Sequence, residues 1–264
     1  MDIELKGVPE TLLITVRARA EETQRKDSLL SDPYAVSILE QLNLPLDKKS
    51  RVVASSQLGC VIRTINIDGI VRYFLSQNHD GLIVALGCGL DARYERIGKS
   101  CTGWWDIDVP EAIQIRKRFF KEKDNYKMIA RSMFDYAWMN EIPKDKPLLI
   151  ISEGVFMYFA EEELKELFSK IFTTFPQVEM AFDTIAPFLA KRTNLHSEVR
   201  KYNAVFKWGL GHANDLQKWD NKIKIINSYY HINYHKRRWP LSMHIIALVP
   251  AFKRGNKVVH IGYK

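Results

Sequence analysis

The sequence predicts a doubly wound α/β sheet, and three observations predict it. Leu82 to Leu86 is an unbroken apolar run, as expected of a central parallel strand covered on both faces. It leads directly into the turn Gly87-Cys88-Gly89, whose glycines permit a sharp bend and close backbone approach to a ligand. Further apolar strands alternate with amphipathic helical segments along the chain.

The elements follow in order. Leu12, Leu13, Val16 and Ala20 share one face of a helix over residues 10–25, with Arg17 and Arg19 on others. Asp32 as N-cap and Pro33 in the first turn start a second helix, Tyr34 to Leu42, before Pro45. Residues 57–77 carry Leu58, Val61, Ile62, Ile70, Val71 and Phe74 at helical spacing. After the glycine turn come a short helix, Tyr94 to Ile97, and a strand, Trp104 to Asp108. Pro110 and Glu111 open a helix running through Lys117 and Phe120. Lys127 to Arg131 is a third strand, and Pro147 to Ser152 a fourth, ending in Glu153-Gly154. Glu161 to Phe175 is an amphipathic helix with acids in its first turn, followed by a fifth strand, Val178 to Asp183. Ala186 to Phe206 reads as a helix bearing Arg192, His196, Arg200 and Tyr202, broken at Trp208-Gly209-Leu210-Gly211. Ile223 to Ile232 and Lys257 to Tyr263 are closing strands, separated by a segment containing Pro240 and Pro250.

Composition narrows the classes of function. A chain of 264 residues with 46% hydrophobic and 27% charged residues can bury one sizeable core. No linker, repeat or long block of like charge divides it, so one domain is expected over 1–264. The longest apolar stretch, Leu148 to Phe159, is interrupted by Glu153 and too short for a bilayer, and MDIELKG lacks a signal-peptide core. Cys60, Cys88 and Cys101 have no metal-ligand spacing and read as reduced thiols of a cytoplasmic protein, with no metal expected. Cys88 reads as a small residue beside a ligand. The net charge of +8 is spread along the chain, and its one dense cluster, His235 to Arg238, is short, so no nucleic-acid partner is expected.

Two cofactors compete for the glycine turn. Gly87, Gly89 and Ala92 satisfy the dinucleotide pattern G-x-G-x-x-G/A, which suits a pyrophosphate at helix amides. S-adenosylmethionine has no phosphate and instead needs an anion for its amine and a cation for its carboxylate. Glu153, at the exit of the fourth strand, and Arg63, on the helix leading into the first, supply both. Asp106 and Asp108 share a strand face, but only Asp108 lies at the strand's C-terminal end, where a carboxylate accepts ribose hydroxyls; Asp106 is supporting.

Arg63-Thr64, LGCGLDAR, DIDVPEAIQIRK, SMFDYAWM and ISEGVFMYF, in this order, resemble the leucine carboxyl methyltransferase family and its bacterial branch acting on polyketide carboxylates. The likeness runs from Thr11 to Tyr158 and weakly through Trp208 to Trp219. It implies a Rossmann-like methyltransferase sheet of about seven strands, mostly parallel with the last antiparallel. It also implies a helical cap and lead-in helix over 1–80, a sheet core over 81–264 and an insertion near 186–220. Cofactor-binding roles are implied for Arg63, at the methionyl carboxylate, and for Ser132 and Met133, at the adenine edge. Arg17, Arg25 and Lys26 belong to the cap.

The function implied is transfer of a methyl group from S-adenosylmethionine to a carboxylate of a small molecule. Such an acceptor is already ionised at neutral pH and needs no base, so the chain's task is alignment. Tyr158 and Arg17 are the residues expected to orient it. A hydroxyl acceptor would need a base, for which His196 is the first candidate. Transfer to a protein C-terminal carboxylate, and a member that binds cofactor without turnover, stay open.

Overall fold

The computed structural model describes residues 8–44, 46, 52–191 and 205–263. Among these, seven strands form one sheet: β1 (Leu82–Leu86), β2 (Gly103–Asp108), β3 (Tyr126–Ala130), β4 (Leu148–Ser152), β5 (Val178–Thr184), β6 (Ile223–Tyr230) and β7 (Lys257–Tyr263). Their order is β3-β2-β1-β4-β5-β7-β6. β1 to β5 are parallel, and β7 runs antiparallel between β5 and β6. The sheet is therefore mostly parallel with seven strands, as expected.

β1 pairs with β2 on one side and β4 on the other, so the strand order reverses at β1. Open parallel sheets bind ligands at such a reversal, beyond the C-terminal strand ends. Gly87, Asp108, Glu153 and Asp183 all lie at or just past those ends. Alternation sends Leu82, Val84 and Leu86 of β1 into one core, and Ile83 and Ala85 into another on the opposite face.

The first core is covered by α5 (Glu161–Thr174), through Leu164, Leu167, Phe168, Ile171 and Phe172. The second is covered by α1 (Val8–Thr23), α2 (Pro33–Gln41), α3 (Ala54–Gln77) and α4 (Pro110–Arg116), with α1 packed against both α2 and α3. Asp32 caps α2 by accepting a hydrogen bond from Ala35 N at 3.1 Å, and Pro33 opens the helix as its sequence predicts. α3 buries Thr64, Asn66 and Asp68 along with its apolar residues, because it is enclosed by α1 and by the sheet. α6 (Pro187–Ala190), α7 (Leu241–Ile246) and α8 (Pro250–Lys253) are short. No helix among the described residues is long and apolar enough to cross a membrane.

Four elements differ from expectation. Tyr94 to Gly98 is a single π-helical turn, which swings Arg93 and Arg96 toward the same carboxylates of α3 and the glycine turn. α4 stops at Arg116, whose side chain is drawn inward, and tight turns carry the chain on to Phe120. β6 stops at Tyr230: His231 N donates to Asn256 O at 3.0 Å, and Tyr234 N closes a 3-10 turn on His231 O. Of the helix expected over Ala186 to Phe206, the described residues contain the turn α6; Arg192, His196, Arg200 and Tyr202 lie outside them, as does Pro45.

Candidate active site

The ends of β1, β4 and β5 face α1 and α3 across a cavity of about 590 Å³. Its floor is the glycine turn. Gly87 and Gly89 have φ of +68° and +49°, a region that side-chain-bearing residues rarely adopt. They are also tightly enclosed: a Cβ on Gly87 would lie 2.4 Å from Val155 Cγ2, and one on Gly89 would lie 2.7 Å from Leu12 Cδ2 of α1.

Asp108 ties the turn to β2. Its Oδ2 accepts from Gly89 N and its Oδ1 from Val109 N, both at 2.8 Å. Burial raises its carboxyl above the usual range despite these two donors. Asp106 is committed to support: it accepts from Trp104 Nε1 at 2.8 Å, Tyr126 Oη at 2.6 Å and Arg116 Nη2 at 2.5 Å. Arg116 in turn donates to Gly89 O at 2.9 Å and Asp91 O at 2.7 Å, fixing the turn from behind.

A lattice of buried ion pairs walls the cavity on the α3 side. Arg63 Nε donates to Glu153 Oε1 at 3.0 Å and its Nη1 to Asp183 Oδ2 at 2.8 Å. Arg93 holds Asp68 and Asp91, each at 2.6 Å, and also pairs with Glu153. Thr64 Oγ1 adds a third donor to Glu153, at 2.9 Å. Arg96 bridges Asp32, Asp68 and Asp91, and Arg19 reaches Asp32 at 2.8 Å and Leu90 O at 3.2 Å. Burial alone would raise the Glu153 carboxyl, but Arg63 and Arg93 outweigh it and hold it below the ordinary range. Arg93 and Arg96 hold Asp91 far below its usual value against the cost of burial, whereas burial raises the Asp183 carboxyl despite its pairing with Arg63.

Among the described residues the lattice joins four arginines (19, 63, 93 and 96) to five carboxylates (Asp32, Asp68, Asp91, Glu153 and Asp183). One negative charge is left over. A fixed anionic excess beside a cavity favours a ligand with net positive charge.

The far wall is apolar and aromatic, formed by Tyr158, Phe206, Ile232, Trp239 and Met243. Tyr158 packs on Phe206 with ring centroids 5.3 Å apart, and burial pushes its phenol up to about 12. Cys60 and His231 also line the cavity; burial raises the Cys60 thiol and lowers the His231 imidazole to about 3. Cys88, in the turn, is likewise held as a thiol by burial.

Of the residues singled out from sequence, Arg63, Gly87, Gly89, Glu153 and Tyr158 share this cavity. Asp108, Ser132 and Met133 stand outside its wall, toward β2 and β3. There Ser132 Oγ accepts from Phe134 N at 3.3 Å, and Met133 is buried with its carbonyl accepting from Trp138 Nε1 at 3.0 Å. Arg17 does not line the cavity; Arg19, on another face of α1, does. Arg25 pairs with Asp27 at the surface. Sequence reasoning missed Arg19, Arg93 and Arg96, as well as His231. The available signal was the charged string Asp91, Arg93, Arg96 immediately after the glycine turn.

The chain is similar to known proteins in sequence and in fold. A family model described as leucine carboxyl methyltransferase matches residues 12–172. The tetracenomycin polyketide synthesis O-methyltransferase TcmP of Streptomyces glaucescens is 30% identical over 216 residues, covering 81% of this chain and 80% of that protein. The S-adenosyl-L-methionine-dependent methyltransferase dpfgK of Gibberella zeae is 25% identical over 257 residues, covering 86% and 85%. Among solved structures, a DUF574 family protein from Streptomyces avermitilis shares the fold with a TM-score of 0.61 at 9% identity, over 95% of this chain and 97% of that one. Magnesium protoporphyrin IX methyltransferase from Synechocystis, with bound SAH, shares it with a TM-score of 0.53 at 13% identity, over 88% and 94%.

Proposed function

Because this chain belongs to the leucine carboxyl methyltransferase family and is an S-adenosylmethionine-dependent methyltransferase, we propose that its acceptor is a carboxylate oxygen of a small-molecule acid. One observation carries this reading: the titratable side chains described on the acceptor side of the cavity are poor bases. Cys60 and Tyr158 hold their protons well above neutral pH, and His231, at about 3, takes one up only in strong acid. The carboxylates of the same cavity are paired with arginines. A hydroxyl or phenol would need a base there. A carboxylate arrives ionised, with an unperturbed pKa of about 4.

The residues present fit the cofactor. The lattice's excess negative charge suits a molecule carrying a sulfonium, an ammonium and one carboxylate, whereas a pyrophosphate would add anions to an anionic wall. In this reading Arg63 takes the methionyl carboxylate, Glu153 the amine and Asp108 the ribose hydroxyls, with Ser132 and the Met133 backbone at the adenine edge. Bound there, S-adenosylmethionine supplies an activated methyl group. The protein's share is geometric: α1 and the aromatic wall keep water away, while Tyr158, together with Lys253 at the rim, orients the acceptor. Fixing two reactants in line is worth about 7 to 11 kcal/mol of the barrier. The bacterial relative's polyketide context supports an acceptor with extended apolar surface.

The test has two parts. Calorimetric titration with S-adenosylmethionine and S-adenosylhomocysteine, against NAD and NADP, should show binding of the adenosyl pair alone. Transfer of a tritiated methyl group to a panel of aromatic acids should then give products that release volatile methanol in alkali, as methyl esters do. Alkali-stable product would move the reaction to a hydroxyl.

A further inference from the structure

His231 is 6% exposed and lines the cavity, and its Nε2 is buried with no hydrogen-bond partner among the described residues. Buried side-chain polar atoms are rarely left so. The other unpartnered buried side-chain atom among the described residues, Asn66 Nδ2, belongs to a residue away from the cavity wall. The position of His231 is built rather than incidental. β6 ends one residue earlier, Asn256 O anchors the His231 backbone N–H at 3.0 Å, and Tyr234 N donates to His231 O at 3.1 Å.

The surroundings say what kind of partner the nitrogen can take. Tyr158, Phe206, Ile232, Trp239 and Met243 present ring and aliphatic surface to the same space. Trp239 spends its N–H on Tyr234 O, at 3.0 Å, and so offers its neighbours an apolar face. A flat aromatic body fits such a wall. Burial, then the positive charge of Arg63, keeps the imidazole neutral, so it has one N–H and one lone pair. A hydroxyl, which both donates and accepts, satisfies Nε2 in either tautomer.

We propose that His231 is an acceptor-recognition residue whose Nε2 hydrogen-bonds an uncharged hydroxyl on a flat aromatic acid seated in the cavity. The assignment rests on the reading that this cavity receives the acid to be methylated, and it narrows that acid to hydroxylated aromatic ones. His231 selects the acceptor and takes no proton from the reacting oxygen.

The probes are 2-naphthoic acid and its 3-, 6- and 7-hydroxy derivatives, titrated calorimetrically into protein saturated with S-adenosylhomocysteine. At least one hydroxy acid should bind the unmodified protein about tenfold more tightly than the parent acid. His231→Phe should abolish that preference and leave S-adenosylhomocysteine affinity unchanged, while His231→Asn should keep part of it. In the unmodified protein, a long-range proton–nitrogen spectrum should show the His231 Nε2 resonance move with the preferred hydroxy acid and not with the parent, a readout independent of any variant's folding. A preference that is absent, or that survives in His231→Phe, or an unmoved resonance, or no binding by any of the acids, overturns the proposal. Methyl transfer to the same acids is scored separately: acids that bind with a His231-dependent preference and are not methylated remove the carboxylate reaction and leave the recognition role standing.

Discussion

Arg63 Nη1 lies 2.8 Å from Asp183 Oδ2, joining the middle of α3 to the end of β5 across 120 residues of sequence. Glu153 holds the same guanidinium from the other side, at 3.0 Å. Arg63 therefore stands between two carboxylates, both already satisfied, and a ligand carboxylate that pairs with it must compete with them. The leftover negative charge of the lattice becomes a test of cofactor choice.

Asp183→Asn removes that excess while leaving Arg63 paired with Glu153. S-adenosylmethionine affinity should fall about tenfold, the loss of one charge-assisted interaction. S-adenosylhomocysteine, which lacks the sulfonium charge, should lose less than about threefold. Calorimetry on both ligands decides it. Equal losses would mean that the lattice positions the site without selecting for charge.

Gly87→Val places a branched side chain at φ +68° with its Cβ 2.4 Å from Val155. Overpacking together with left-handed strain should cost about 3 kcal/mol or more and abolish cofactor binding. Asp108→Ala keeps the backbone conformation but strands the N–H groups of Gly89 and Val109. It should cost about 1 to 3 kcal/mol in a denaturant titration and about a hundredfold in cofactor affinity. Affinity retained in Asp108→Ala would move the ribose away from β2.

His231 sets a pH dependence of known sign. Its folded pKa of about 3 lies below the ordinary histidine value of 6.5, so below about pH 6.5 the unfolded chain binds a proton that the folded chain refuses. The stability that neutral His231 contributes is present above that pH and is lost as pH falls toward 3. Between pH 7.5 and 5 the loss is about 2 kcal/mol. His231→Phe lacks it, so the stability of the variant relative to wild type should rise by that amount, the titrating carboxylates being common to both. Urea midpoints at the two pH values measure the difference, and a gap that ignores pH would place the imidazole in contact with solvent.

The sheet was legible because β1 and β4 are uninterrupted apolar runs, and because Asp108, Glu153 and Gly87 are marked by standing where such runs end. Position at a strand end is a one-dimensional property. The ion lattice is not: Arg93 meets Asp68 from 25 residues away, and a charge on a helix looks the same in sequence whether it meets water or a buried partner. Arg17 and Arg19 show the limit clearly. Both lie off the apolar stripe of α1, and it is partners distant in sequence, Asp32 at the cap of a different helix and the Leu90 carbonyl, that draw Arg19 inside. His231 was hidden for a related reason. Read as strand, it would alternate with its neighbours; the 3-10 turn that Tyr234 N closes on His231 O takes it out of β6.

The place of β7 in the sheet has a consequence for how the molecule is made. β1 to β5, the glycine turn and the ion lattice are complete by Thr184, and parallel pairing can proceed once that residue has been synthesised. β6 cannot join them then, because among the described residues its sheet neighbour is β7 alone, which begins 27 residues after β6 ends. The His231 anchor, Asn256, precedes β7 by one residue. During synthesis the strand ends that carry the glycine turn and the ion lattice are thus made first, and the part of the cavity wall formed by His231, Ile232, Trp239 and Met243 is tied to the sheet only after β7 follows.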